Sequence, residues 1–233
     1  FTPPHASAQI KSCVLLAGLN AQGTTIVREP RKTRDHSERM LRGFGVDVRV
    51  EDAGDGSTVS ITGGQALQAR ETSVPGDPSS AAFLAAAAMI AQRGGVLVEG
   101  VMSNPTRDGF FRAAALMKAA IGAEECGEAC GERLIDMTFE SSPLKGCAIP
   151  EALVASMIDE FPILAVLAAF AEDETRVTGA AELRVKETDR ISAVVDMLRA
   201  NGVSVEEQPD GFTIQGCGGQ VPGGGLVETR HDH

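Results

Sequence analysis

Apolar and polar positions along the chain form one pattern that occurs three times. A polar residue opens a helix-length run rich in Ala and Leu, and a short β-like run follows. A charged segment then leads into an amphipathic helix and further β-like runs. The apolar runs cover residues 8–21, 81–91 and 163–171. The pattern predicts three copies of a unit that mixes helices and strands.

The spacing within the three copies is nearly constant. The distance from the polar opening to the second charged helix start is 27 residues in the first copy and 28 in the other two. The pairs that define it are Ser7 and Arg34, Ser79 and Arg107, and Asp159 and Glu187. Three matches at this spacing indicate an internal structural repeat.

Helix ends and strands follow from the same pattern. The second helices are predicted to end at residues 44, 120 and 200, each followed by a C-terminal glycine: Gly45, Gly122 and Gly202. Strands are predicted at 24–27, 46–50, 58–61, 96–98, 134–139, 175–177, 203–205 and 212–214. Because the first helices are almost entirely apolar, we expect them to be buried on all sides, with sheets outside.

A fourth copy is expected to begin at the end of the sequence. The polar residues His231-Asp232-His233 follow a glycine-rich segment at 218–225, where the next opening motif is due. We therefore expect the 233 residues to be a piece of a longer or split protein.

Composition narrows the classes of function. The net charge of −11 argues against nucleic acid as a partner, because nucleic-acid binding depends on Lys and Arg neutralising phosphates. The apolar runs are too short to span a bilayer, and the start of the sequence does not resemble a secretory signal. We expect a cytoplasmic protein whose five cysteines are reduced. Cys126 and Cys130 have no second ligand pair nearby, so no metal is expected.

Two helix starts in the first repeat carry candidate anion-binding groups. Ser7-Ala8-Gln9-Ile10-Lys11 places a hydroxyl, an amide and an ammonium group at one helix N-terminus. Helix N-termini favour phosphate and carboxylate ligands, although an N-cap beside a surface lysine explains the motif equally well. The segment 33–38 contains Arg34, which is either an anion ligand or part of a solvated helix start.

The third repeat holds the candidate acid–base residues. Glu187 and Arg190 are three residues apart and would share a face if the segment is helical, and a surface salt-bridge cluster is the alternative. Asp159 lies between Met157-Ile158 and Phe161. Apolar surroundings raise the pKa of a carboxyl group and suit it to proton transfer, and a plain N-cap is the alternative for Asp159.

The motifs together resemble the 5-enolpyruvylshikimate-3-phosphate synthase family, in its bacterial class II group. The resemblance covers essentially the whole chain. It rests on residues 7–11, 34–38, 74–80, 104–107, 157–162 and 183–190. It implies an α+β fold of repeated βαβαββ units, an inside-out α/β barrel in a two-domain family. About three units would be present, with residues 1–70 in one domain and 71–233 in the other.

The resemblance also implies a reaction and roles for residues. The family transfers the enolpyruvyl group of phosphoenolpyruvate to the 5-hydroxyl of shikimate 3-phosphate without a cofactor. Asp159 would accept the hydroxyl proton and Glu187 would protonate the methylene carbon. The substrate-binding residues would be Ser7, Ala8, Gln9, Arg34, Lys186 and Arg190, whereas residues 104–107 would be structural.

Other functions stay open at this point. An inactive scaffold or interaction fragment of the same fold is one alternative. A UDP-N-acetylglucosamine enolpyruvyl transferase is another, and that group uses a reactive cysteine in a mobile loop. The expected partners are the two substrates and a complementary chain or segment, with no nucleic acid and no membrane.

Overall fold

The computed structural model describes residues 1–4 and 6–232. It contains seven α-helices and ten strands within that part of the chain. The helices are α1 Ala8–Gly18, α2 His36–Gly43, α3 Pro78–Ile90, α4 Gly109–Leu116, α5 Glu151–Val154, α6 Phe161–Phe170 and α7 Arg190–Ala200. The strands are β1 Thr24–Glu29, β2 Val48–Ala53, β3 Gly56–Thr62, β4 Gly95–Ser103, β5 Ala120–Ala129, β6 Glu132–Glu140, β7 Ala148–Ile149, β8 Glu174–Val177, β9 Val205–Gln208 and β10 Gly211–Gln215.

The three repeats have the same sheet topology, which confirms the predicted α+β fold of repeated units. The sheet orders are β1-β3-β2, β4-β6-β5 and β7-β8-β10-β9. In each repeat the last strand therefore lies between the other two. In the third repeat β7 adds a parallel strand beside β8, which completes a βαβαββ unit. In the second repeat a parallel bridge between Gly76 and Val101 occupies the equivalent place.

Contacts divide the chain into two compact units. The first lobe comprises Phe1–Pro75 with Gly127–Leu134, and the second lobe comprises Gly76–Cys126 with Ile135–His233. The domain boundary expected after residue 70 stays a prediction about the complete family fold.

Each lobe has its own apolar core. In the first lobe the sheet β1-β3-β2 packs its inner face against α1 and α2. The buried residues there are Leu15, Val27, Leu41, Val46, Val48, Val59 and Ile61. In the second lobe the core is larger and contains four fully or nearly fully buried phenylalanines at 110, 139, 161 and 212.

The expectation that the apolar helices are buried on all sides is wrong for α1 and α3. Leu16 of α1 is 46% exposed, and Phe83 and Leu84 of α3 are 58% and 52% exposed. Each helix buries only one face: α3 does so through Ala81, Ala82, Ala85, Ala86 and Met89. Helix α6 comes nearer to the expectation, since six of its ten residues are buried.

The predicted end of the second helix in repeat two is also wrong. Helix α4 ends at Leu116, and Lys118 has a φ of 68°, so the chain turns there. Residues 120–129 then form strand β5, and Gly122 is inside that strand rather than a helix stop. Gly45 and Gly202 have positive φ of 87° and 78°, as a C-terminal glycine stop requires.

Candidate functional site

A cleft in the first lobe brings together three residues predicted to bind substrate. Ala8 and Gln9, in the first turn of α1, line an open cleft of about 610 Å³ together with Arg34. The other lining residues are Ser12, Cys13, Leu16, His36 and Ser37. A hydrogen bond of 2.6 Å between the Ser12 and Ser37 hydroxyls joins α1 to α2 beside this cleft. Arg34 therefore shares one surface with Ala8 and Gln9, which lie 26 and 25 positions before it in the sequence.

Ser7 caps the helix that carries this motif. Its hydroxyl oxygen accepts a hydrogen bond from the Ile10 backbone N–H at 3.3 Å, and its backbone is extended, as an N-cap requires. The first turn of α1 carries no acidic residue, so the positive end of the helix dipole is not neutralised within the helix. The same hydroxyl has one hydrogen to donate, which suits an anionic ligand.

Lys11 is not a surface lysine, contrary to the simpler interpretation of its motif. Its side chain is 1% exposed, and its ammonium group lies 3.0 Å from Glu29 Oε2 and 2.7 Å from Glu38 Oε1. Both carboxylates are 2% exposed. Lys11 therefore points into the first lobe and does not line the cleft.

Arg190 is the centre of the candidate site in the second lobe. Its side chain is 9% exposed, and its guanidinium group contacts three carboxylates. Nη1 donates to Asp159 Oδ1 at 3.0 Å, and Nη2 donates to Glu187 Oε2 at 2.9 Å. Nε and Nη2 donate to the two oxygens of Asp232 at 2.9 and 3.0 Å. The hydrogen bonds that Arg190 donates to Asp232 are the largest contribution that raises the pKa of Arg190, so the guanidinium stays charged.

The predicted acid and base meet at this arginine, although their surroundings differ from the expectation. Glu187 precedes α7 rather than sharing a helical turn with Arg190. Asp159 is 40% exposed and pairs with a guanidinium, so the expectation of an apolar environment for Asp159 is wrong. Glu187 is 46% exposed. Both carboxylates are thus held by one cation and are open to solvent.

The start of α7 fixes Arg190 at its first position. Asp189 caps the helix by accepting from the Ser192 N–H at 3.0 Å. Burial is the largest contribution to the pKa of Asp189 and raises it, but the Ser192 N–H and the Arg184 guanidinium together lower that pKa below 3.8. Arg184 also donates to the carbonyls of Gln208 and Pro209, at 2.5 and 2.7 Å. These bonds attach the segment before α7 to the strand β9 region.

Asp232 is a residue of this cluster that sequence reasoning did not assign to the site. The sequence pattern places Asp232 in the opening of a fourth repeat, of which His233 lies outside the described residues. Asp232 also accepts from the Thr188 hydroxyl at 2.8 Å, so it holds both Thr188 and Arg190. It lies 42 positions from Arg190 in sequence, and no spacing rule connects the two.

Lys186 is not part of the Arg190 cluster. Its ammonium group contacts Glu182 at 2.6 Å, one turn back along the chain. The segment 104–107 makes contacts within the second lobe, and its purely structural role stays a prediction. Asn104 is 1% exposed and accepts from the Thr106 N–H and hydroxyl, and Arg107 donates to Asp77 and Ser79.

One group of side chains has the spacing of possible metal ligands within the described ranges: Asp35, His36 and Glu132. Arg39 contacts both Asp35 and Glu132, at 2.9 and 3.5 Å, and His36 Nδ1 lies 2.7 Å from Glu132. A guanidinium thus already provides the positive charge for these carboxylates.

None of the helices in residues 1–4 and 6–232 has the length and apolar character needed to cross a bilayer.

Comparisons with known proteins agree on one family. A family model described as EPSP synthase (3-phosphoshikimate 1-carboxyvinyltransferase) matches residues 1–233. The chain is 66% identical over 234 residues to the 3-phosphoshikimate 1-carboxyvinyltransferase of Hyphomonas neptunium (strain ATCC 15444), covering 100% of this chain and 53% of that protein. The chain therefore spans about half the length of the curated relatives it matches.

Solved structures give the same result for the fold. The structure of EPSP synthase from Acinetobacter baumannii matches with a TM-score of 0.92 at 45% identity, covering 100% of this chain and 53% of that chain. The enolpyruvyl transferase NikO from Streptomyces tendae matches with a TM-score of 0.60 at 18% identity, covering 86% of this chain and 44% of that chain. The second likeness concerns the fold alone.

Proposed function

Because the chain belongs to the EPSP synthase family, we propose that it forms part of an enzyme that transfers the enolpyruvyl group of phosphoenolpyruvate to the 5-hydroxyl of shikimate 3-phosphate. Phosphate is the second product. The observation that carries this proposal is the Arg190 cluster, in which one buried guanidinium holds two solvent-accessible carboxylates, Asp159 and Glu187. Such a transfer needs a cation for an anionic substrate, a base and an acid in one place.

In the proposed reaction Asp159 and Glu187 move protons in opposite directions. The 5-hydroxyl oxygen attacks C2 of phosphoenolpyruvate, its proton passes to Asp159, and Glu187 delivers a proton to the methylene carbon C3. Glu187 then takes a proton back from C3 of the tetrahedral adduct while the bond from C2 to the phosphate oxygen breaks, and the proton held by Asp159 passes to the leaving phosphate. Phosphate leaves and the enolpyruvyl ether remains.

Arg190 would bind the carboxylate of phosphoenolpyruvate. A guanidinium group forms two parallel hydrogen bonds with a carboxylate, which is the geometry that Asp232 already uses. Because Asp159 and Glu187 are half exposed, water can replace Arg190 as their partner when a ligand carboxylate takes its Nη atoms. Asp232, whose side chain is 14% exposed, would keep the guanidinium in place during this exchange.

The first lobe would bind shikimate 3-phosphate through Ser7, Ala8, Gln9 and Arg34. The N-terminus of α1 supplies backbone N–H groups, and Arg34 supplies a charge at the same cleft. Lys186 would also contribute to binding the shikimate hydroxyls, for which its contact with Glu182 must break.

A cytoplasmic location is supported by five free cysteines, which are typical of reducing compartments.

A chimera tests the proposal. In it, this chain replaces the matching residues of the Hyphomonas neptunium relative, which supply the rest of the family's length. The chimera should release phosphate when both substrates are present, whereas the 233 residues alone should show much weaker turnover. The Glu187→Gln chimera should lose on the order of 10²–10⁴-fold in kcat. The exposed Glu206→Gln is the matched control and should leave kcat unchanged.

Two results would reject the proposal. A folded chimera without phosphate release would support the alternative of an inactive scaffold. Turnover with UDP-N-acetylglucosamine in place of shikimate 3-phosphate would indicate the other enolpyruvyl transferase group.

A further inference from the structure

A closed ion cluster lies beneath the Ser7–Gln9 motif and has no part in the proposed chemistry. Lys11, Glu29 and Glu38 come from α1, β1 and α2 respectively, and their side chains are 1%, 2% and 2% exposed. The ammonium group of Lys11 lies between the two carboxylates, at 3.0 and 2.7 Å. The three residues thus join the ends of three elements of the first lobe.

Glu29 extends this cluster into the segment before α2. Its Oε2 accepts from the Ser57 hydroxyl at 2.9 Å in addition to Lys11. Its Oε1 accepts a short hydrogen bond from the Thr33 hydroxyl. Glu29 is the last residue of β1, so these bonds connect the strand, the start of β3 and residue 33.

Arg34 lies between two residues that the cluster holds. Thr33, on its N-terminal side, is bound to Glu29, and Glu38, on its C-terminal side, is bound to Lys11. Within the same segment Asp35 accepts from Arg39 at 2.9 Å. The backbone of Arg34 is therefore fixed from both sides, while its side chain lines the cleft with Gln9.

The charges of this cluster are an inefficient way to stabilise a core. Two carboxylates and one ammonium group lose their hydration when buried. One carboxylate oxygen, Glu38 Oε2, is buried and has no hydrogen-bond partner among residues 1–4 and 6–232. Apolar residues of similar volume often stabilise such a position equally well. What the ion cluster adds is directional: it sets the position of residues 33–38 relative to the N-terminus of α1.

We propose that Lys11 is a positioning residue, which holds Arg34 against the Ser7–Gln9 helix start so that both contact the phosphate group of shikimate 3-phosphate. The expected change in binding of shikimate 3-phosphate rests on the proposed function. The expected change in the mobility of the Arg34 side chain does not, and the two quantities are measured separately. Lys11 does not touch substrate and acts through Glu29, Thr33 and Glu38.

The first experiment measures the mobility of the Arg34 side chain by NMR in the 233-residue chain. Thr33→Val removes only the bond to Glu29 and is expected to fold, whereas Lys11→Met leaves two buried carboxylates and can unfold the lobe. The Arg34 side-chain Nε–Hε resonance, assigned by its loss in Arg34→Lys, should show a lower heteronuclear NOE in Thr33→Val. Thr24→Val is the control, since Thr24 is exposed on β1, the strand of Glu29, and its hydroxyl bonds the exposed Thr62 hydroxyl at 3.4 Å. Unchanged Arg34 mobility in Thr33→Val would overturn the proposal.

The second experiment measures kinetics in the chimera. Thr33→Val should raise KM for shikimate 3-phosphate by about tenfold, the effect of weakening one charge-assisted hydrogen bond. The values of kcat and of KM for phosphoenolpyruvate should stay within about twofold, because Asp159, Glu187 and Arg190 are not affected. If the cluster only stabilises the fold, Thr33→Val should lower the melting temperature and leave KM for shikimate 3-phosphate unchanged. That result would overturn the proposal. If the unsubstituted chimera shows no turnover, the proposed function fails, and the NMR measurement alone decides whether the Lys11 cluster positions Arg34 through the Thr33–Glu29 bond.

Discussion

The two lobes each contain a cluster of one cation with several carboxylates, and the clusters differ in exposure. In the first lobe Lys11 and both of its glutamates are at most 2% exposed. In the second lobe Arg190 is 9% exposed, but Asp159 and Glu187 are 40% and 46% exposed. The composition of the two clusters is similar, while access to water separates them.

This difference decides what each cluster is able to do. A fully buried ion pair is costly to open, because each charge would remain without hydration. A pair whose carboxylates are half exposed exchanges partners at little cost, since water replaces the lost contact. The Lys11 cluster therefore holds residues 33–38 in a fixed position relative to α1, whereas the Arg190 cluster can accept a ligand anion.

Lys11→Met should show the largest effect on stability. It leaves Glu29 and Glu38 buried without their cation, which costs about 3–5 kcal/mol. The free energy of unfolding is measured by urea titration with circular dichroism, because the sequence contains no Trp or Tyr for fluorescence. Lys32→Met is the matched control: Lys32 is 49% exposed, pairs with a 75% exposed Asp52 in the same lobe, and should change stability by less than about 1 kcal/mol. Equal losses in the two variants would contradict the comparison.

Arg190→Met should destabilise the second lobe less, by about 1–2 kcal/mol, because two of its three carboxylate partners regain water. The same urea titration measures the loss, with Arg176→Met as the control, since Arg176 is 58% exposed on β8. In the chimera Arg190→Met should raise KM for phosphoenolpyruvate by roughly 10–100-fold. A loss of stability as large as that of Lys11→Met, with normal binding, would mean that Arg190 is structural.

Asp189→Ala should have the smallest effect, about 1 kcal/mol at neutral pH, because it removes the N-cap of α7. The pKa of Asp189 is lowered below 3.8 in the folded state. The stabilisation by its carboxylate is therefore complete above the unfolded pKa and is lost as pH falls through the lower folded pKa. Thermal melts of both proteins between pH 7 and pH 3 check this, and the difference should shrink at the acid end. A difference that grows as the pH falls would have the wrong sign.

The three repeats could be predicted from the sequence because contacts between residues close in sequence specify the ends of their helices. Asp77 and Asp189 act as N-caps, and Gly45 and Gly202 end helices, all by contacts within a few residues. Strand β5 was missed because nearly all of its residues are exposed, so the period-two alternation that reveals a half-buried strand is absent.

The candidate sites were predictable in part, for a similar reason. Glu187 and Arg190 are three residues apart, so their contact was predictable from the sequence, although Glu187 precedes α7 and the predicted shared helix face did not form. The burial of Lys11 depends on Glu29 and Glu38, which come from other elements, and no spacing rule connects them. The role of Asp232 likewise depends on the tertiary fold, since it reaches Arg190 across 42 residues.

Solvent deuterium tests the central claim, that Glu187 protonates the methylene carbon of phosphoenolpyruvate beside Arg190. The chimera is run in deuterium oxide with both substrates, and the enolpyruvyl product is analysed by proton NMR. We predict deuterium in the vinyl methylene group of the product. With Glu187→Gln, product formation and deuterium incorporation into phosphoenolpyruvate should both slow by on the order of 10²–10⁴-fold, as expected for kcat. A product formed at a normal rate without deuterium, or normal incorporation with Glu187→Gln, would contradict the account.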